Sequence, residues 1–166
     1  LTSRNTEKPS ARRCLEYALN LLATRDYSSV RIRGKLVEKG FSEEDAEAVI
    51  DRLQEEGWIN DPAFAARFAE SAISSGRFYG ARLKEEMRRR GIPAGIAEQA
   101  LKQATDSSNQ AELVRGILKR RYPCFSFDLS GEKEKRRIIS YLRRRGYCFS
   151  TIMHVLVEPD SEGGDQ

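Results

Sequence analysis

Arginine is the residue best placed to do chemistry in this chain, because it recurs at helical spacing. Arg82, Arg88 and Arg89 stand in one stretch, and Lys133, Arg136, Arg137, Arg143 and Arg144 in another. On a helical wheel of about 100° per residue, Lys133, Arg137 and Arg144 fall opposite the apolar pair Ile138 and Leu142. Arg136 and Arg143 flank them. Arg82 and Arg89 stand in the same way opposite Leu83 and Met87. The planar guanidinium fork suits bidentate contact with phosphate or carboxylate better than an ammonium does, and only Lys133 departs from arginine. A stripe that binds a polyanion or an acidic protein groove is the functional reading. A solvated charged face is the alternative.

Two aromatic stretches accompany the cations. Gly76-Arg-Phe-Tyr-Gly80 sets Phe78 and Tyr79 beside a base, an arrangement that stacks on nucleobases or caps a local core. Tyr122-Pro-Cys-Phe-Ser-Phe127 carries Phe125 and Phe127 in the longest inter-helix loop, where they dock a partner if exposed and serve the core if tucked in. Other chemistry is not legible. His154 is the single histidine and no Cys-x-x-Cys pair accompanies it, so no metal site is expected. Glu43, Glu44 and Asp45 crowd a helix start, where the helix dipole accounts for them. With no glycine-rich phosphate loop and no nucleophile–base pattern, neither an enzyme, nor a cofactor, nor a small-molecule substrate is expected.

The net charge of +4 conceals a gradient. Residues 1–56 hold 10 Lys and Arg against 11 Asp and Glu, and residues 57–106 hold 8 against 6. Residues 107–157 hold 11 against 4, a local +7, while residues 158–166 carry four acids and no base. A module at +7 has the electrostatic footprint of a polyanion binder. No apolar run is long enough to cross a bilayer, and residues 1–9 hold no hydrophobic signal region. Cys14, Cys124 and Cys148 have unrelated spacings, so free thiols in a reducing compartment, the cytoplasm, are expected.

These side chains need helices to position them, and the apolar pattern supplies nine. Helices are predicted over 10–24, from Ser28 or Ser29 to Gly40, from Ser42 to about Glu56, over 62–75, 81–90 and 93–104, and over 109–121, 132–145 and 150–157. Nothing alternates with the period of a strand. Aligning Gly40, Gly91 and Gly146 shows why there are nine. Eight residues before them stand Ile32, Leu83 and Ile138; four before, Leu36, Met87 and Leu142; one before, Lys39, Arg90 and Arg145. One after stand Phe41, Ile92 and Tyr147; six after, Ala46, Ala97 and Ile152; nine after, Val49, Ala100 and Val155. The fold class is therefore all-α, with three tandem three-helix modules in an elongated helical-repeat protein. The expected division is a flexible N-terminus 1–9, modules 10–56, 57–106 and 107–157, and an acidic flexible tail 158–166.

The joint between the first two modules is Glu55 to Glu70. Gly57 suits a helix C-cap. Asp61 is expected to cap the next helix with Pro62 in its first position. Trp58 and Ile59, the apolar pair between, are expected to be buried and to pin the modules together.

Taken in order, several stretches resemble the RecX regulators of the bacterial RecA recombinase. They are Ala18-Leu19, Leu22, Arg25-Asp-Tyr-Ser28, Leu36-Val-Glu-Lys-Gly-Phe41, Gly57-Trp-Ile-Asn-Asp-Pro-Ala-Phe-Ala65, Gly80 to Ile92, and Leu142-Arg-Arg-Arg-Gly-Tyr147. The match runs from about Arg12 to Leu156. Trp58 and Ile59 stand where the family more often has Tyr and Leu. The resemblance implies a three-module helical protein that binds in the groove of the RecA filament on single-stranded DNA and restrains recombination, ATP hydrolysis and co-protease activity in DNA repair. RecA is then the expected partner, with DNA phosphates as further contacts. A free DNA-binding regulator and a helical scaffold unrelated to DNA are the competing functions.

Overall fold

The structure, a computed structural model, describes residues 9–158. The expectations for residues 1–8 and 159–166 lie outside the described residues. Among those described, every regular element is a helix: α1 Pro9–Leu22, α2 Ser29–Glu38, α3 Glu43–Glu55, α4 Asp61–Ser74, α5 Gly80–Arg89, α6 Ala94–Asp106, α7 Gln110–Arg121, α8 Glu132–Arg144 and α9 Phe149–Val157. The ends differ from the sequence prediction by one or two residues. Ser28 starts α2, its Oγ accepting from the Arg31 N–H at 3.3 Å. Ser42 does the same for α3 through the Asp45 N–H at 3.1 Å, and Asn109 caps α7 through the N–H groups of Ala111 and Glu112.

The glycine alignment has a local cause. At Gly40, Gly91 and Gly146 φ is +98°, +73° and +97°, the left-handed region that glycine enters without a Cβ penalty. The next residue then turns its N–H back onto the helix: Phe41 to the Leu36 carbonyl, Ile92 to Met87, Tyr147 to Leu142, at 3.1–3.3 Å. This is the Schellman motif, in which those two side chains also meet. The apolar positions four before and one after each glycine are thus one contact, repeated three times. Leu36, Met87 and Leu142 are fully buried, each worth about 1.5–3 kcal/mol in transfer terms.

The described residues form two compact units, one of residues 9–65 with 87–97 and the other of 66–86 with 98–158. Each of α4, α5 and α6 therefore contributes to both. In the first, α1 and α2 pack on α3 around Cys14, Ala18, Ile32, Leu36, Ala46, Val49, Ile50, Leu53 and Ile59. In the second, α9 packs on α7 and α8 around Val114, Ile117, Ile138, Leu142, Tyr147, Ile152, Val155 and Leu156.

Two expectations at the 55–70 joint are corrected. Trp58 is 61% exposed, while Ile59 is 3% exposed. After Gly57 it is the Ile59 N–H that returns to the Leu53 carbonyl, at 3.1 Å. The apolar residue folded back onto α3 is therefore Ile59, and Trp58 is left facing out. Trp58→Ala is expected to shift stability by under about 1 kcal/mol, against about 2–5 kcal/mol for Ile59→Ala, both readable from urea unfolding midpoints.

The second correction concerns Asp61. Asn60 caps α4, its Oδ1 accepting from the Ala63 N–H at 2.8 Å. Asp61, 4% exposed, instead caps α2 across the unit. It accepts from the Ser29 N–H at 2.9 Å and from the Ser29 hydroxyl at 2.6 Å. A buried carboxylate is held here because both its bonds are made and a helix N-terminus faces it.

Candidate functional site

The cations of the sequence stripe separate into three environments. On α8, Lys133, Arg136, Arg137, Arg143 and Arg144 are all exposed, and no described carboxylate lies within ion-pair distance of any of them. Ile138 and Leu142, fully buried, anchor the opposite face. Arg137 stands 5.9 Å from the Tyr122 ring centroid and Arg143 5.9 Å from that of Phe149. The helix presents these cations outward while Glu132 is tied to Lys135 at 3.3 Å.

Arg88 and Arg89 are also exposed, at the end of α5. With Arg31 and Lys35 of α2 they line a cleft of about 200 Å3, which Val30, Gly34, Glu38 and Gly91 complete. Neither Arg31 nor Lys35, which lies one turn after it on α2, belongs to the stripe expected from the sequence.

Arg82 behaves differently. Its guanidinium donates to Glu86 Oε1 at 2.6 Å and lies 5.7 Å from the Phe78 ring centroid. Glu86 is only 8% exposed, so Arg82 holds a buried carboxylate where the wheel placed a solvent-facing cation. The spacing of four residues carried the signal.

The candidate docking aromatics all sit half-buried. Tyr79 stacks on Tyr147 with centroids 5.3 Å apart and planes at 17°, and its N–H donates to the Arg145 carbonyl at 2.8 Å. Phe125 and Phe127 pack against the core of the second unit, and Lys135 lies 4.3 Å from the Phe127 centroid. These rings serve the interior at least on one side.

A cluster that the stripe analysis did not single out joins α7 to α8. Ser75, Ile117, Arg120, Arg121, Tyr141 and Arg145 line a cleft of about 280 Å3. Arg121 and Arg145 lie 4.6 and 4.2 Å from the Tyr141 ring centroid, and Arg145 donates to the Gly76 carbonyl at 2.8 Å. The run Lys119-Arg-Arg121 at a helix end was its only sequence signal.

Hollows without cations are poorer candidates. One, of about 420 Å3, is lined by small residues such as Ala66, Ser74, Ala100, Ala104 and Ser107 and holds no converging set of ionisable groups. No group of three or more His, Cys, Asp or Glu among the described residues could hold a metal ion. His154 is exposed, its Nδ1 3.6 Å from Glu158. The thiols are unpaired. Burial, then the Asp45 charge, push Cys14 up to about 11, which keeps it protonated and unreactive. Hydrogen bonds, first from the Ser150 hydroxyl, lower the exposed Cys148 thiol.

Fold and site together define a tandem of three-helix modules whose exposed chemistry is cationic. Residues 14–53 match the family model for the first three-helix domain of RecX and residues 60–101 that for the second. The chain is 37% identical over 134 residues to the Regulatory protein RecX of Trichlorobacter lovleyi, covering 81% of this chain and 87% of that protein. It is 33% identical to the one of Syntrophotalea carbinolica, with 85% and 92% covered. The crystal structure of RecX from Lactobacillus salivarius shares the fold at a TM-score of 0.73 and 22% identity, over 90% of this chain and 96% of that one. The chain belongs to the RecX family of regulatory proteins.

Proposed function

We propose that this chain modulates the RecA recombinase by binding the RecA filament on single-stranded DNA and restraining recombination, ATP hydrolysis and co-protease activity. It acts as a binding protein in the cytoplasm, without catalysis of its own and without a small-molecule substrate. No described helix is long and apolar enough to cross a membrane. The three modules, 10–56, 57–106 and 107–157, are the units that lie along the partner.

The observation that supports this best is the outward face of α8. Five cations stand there without a carboxylate partner among the described residues, on a chain of a regulatory family. A protein that keeps such a row unneutralised stores repulsion that a polyanionic or acidic surface relieves. Arginine dominates the row, and guanidinium loses less on desolvation than ammonium.

The test is ATP hydrolysis by RecA on single-stranded DNA with increasing amounts of this chain. The rate is expected to fall as the chain saturates the filament. An unchanged rate, together with sequence-preferring binding to naked duplex, would replace this reading by that of a free DNA-binding regulator.

A further inference from the structure

The cleft between α7 and α8 has no task in the fold that requires three arginines, and we propose that it binds the phosphodiester backbone of single-stranded nucleic acid. One phosphate would sit among the guanidinium groups of Arg120, Arg121 and Arg145. The binding is a property of this chain alone. It rests on the filament reading only for where the strand comes from.

The cleft is built for an anion. Its lining holds three guanidinium groups and no carboxylate, and no described acid pairs with any of the three. Arg145 is fixed in advance by its bond to the Gly76 carbonyl and by the Tyr141 ring beneath it. A guanidinium held this way gives up little freedom when it meets phosphate. Tyr141 sits between Arg121 and Arg145 as a shared platform, which keeps two like charges close at reduced cost.

A buried donor lies behind the cleft. The Tyr147 hydroxyl, in a residue 3% exposed and outside the cleft's lining, has no described hydrogen-bond partner. It lies beside Gly76, where a Cβ would stand 3.7 Å from it and under 3 Å from Ile117 of the cleft. Burial pushes this phenol up to about 12, so it keeps its proton as a donor.

The cluster is longer than one phosphate. Tyr122 meets Tyr141 edge-on at 6.0 Å, and Arg137 stands over Tyr122. Cations and rings therefore alternate from the cleft onto the face of α8. A free phosphate ion would use only the first part of that path. A strand, with a charge at every nucleotide, uses all of it, and single-stranded binders combine such basic tracks with aromatic rings.

The experiment is fluorescence anisotropy of a labelled oligothymidylate with the full chain and no RecA. Arg120→Ala/Arg121→Ala, both at exposed positions, is expected to weaken binding about tenfold or more. It should also flatten the slope of log affinity against log salt by about 1.4. Arg12→Ala/Arg13→Ala removes the same charge from α1 and should change affinity less than about twofold. Equal weakening by both pairs would mean binding by net charge, and unchanged binding by the first pair would empty the cleft; either overturns the proposal. Inorganic phosphate or polyglutamate should compete far less well than unlabelled strand, and equal competition by either would overturn the phosphodiester assignment. Loss of strand binding with RecA inhibition intact would leave both readings standing at separate sites. Absence of RecA inhibition with strand binding intact would fell only the function proposed above.

Discussion

Gly146→Ala should be among the most destabilising substitutions in this protein, costing about 3–5 kcal/mol. A Cβ at residue 146 would fall inside the contact radius of the Tyr79 carbonyl oxygen and 2.9 Å from the Arg82 Cβ. The neighbour is backbone, pinned by the bond from Tyr79 N–H to the Arg145 carbonyl, so it has nowhere to retreat. To this overpacking the left-handed φ adds about 1–2 kcal/mol. The equivalent glycines grade the effect. At Gly91 the added Cβ meets the Ser28 Oγ at 2.9 Å, and at Gly40 it meets nothing within 4 Å. Gly91→Ala is therefore expected to cost about 2–3 kcal/mol and Gly40→Ala about 1–2 kcal/mol. Three urea titrations check the series. Equal losses at all three sites would mean that backbone strain alone sets the cost.

Lys133→Ala/Arg136→Ala/Arg144→Ala should abolish most inhibition of RecA while leaving the fold intact. None of the three has a described carboxylate partner, so each change is expected to move stability by about ±0.5 kcal/mol. A charge-assisted hydrogen bond is worth about 1.5–3 kcal/mol. Removing even two such bonds, at the low end of that range, weakens filament binding by more than about a hundredfold. Helical circular dichroism should stay put, and added salt should weaken the parent more than the variant. Full inhibition by the variant at physiological salt would take α8 out of the interface. Arg82→Ala belongs to another class. It withdraws a partner from the buried Glu86 and should lower stability by about 1–2 kcal/mol whatever it does to RecA.

The features legible in the sequence are those with local causes. Helix starts at Ser28, Ser42 and Asn109, and the leucine–glycine–aromatic signature at Leu36, Gly40 and Phe41, all act within six residues. The repeat could be seen because the same local motif is written three times. Where a choice depends on distant chain, the pattern fell short. Asp61 stands next to its own helix start yet serves Ser29, 32 residues earlier. Trp58 and Ile59 were expected to be buried as a pair, but the hydrogen bond that folds the chain back belongs to Ile59 and only that residue is buried. The outward placement of the α8 cations needed only helical geometry; the cleft at Tyr141 needed α7 beside α8, which no spacing along the chain declares.

Successive repeats are tied together by one recurring bond. The residue twelve before the glycine is Ser28 in the first copy and Tyr79 in the second. Each stands just outside its helix and donates, Ser28 through its hydroxyl and Tyr79 through its N–H, to the carbonyl preceding the next copy's glycine, Arg90 or Arg145. In the third copy that residue is Glu134, inside α8, its N–H already given to the Gly131 carbonyl at 3.0 Å. The helix has grown to 13 residues where its counterparts have 10. The extra turn thus sets the third copy apart from the two before it: its opening N–H groups bond within α8, where the equivalent residues of the earlier copies reach across to the next repeat.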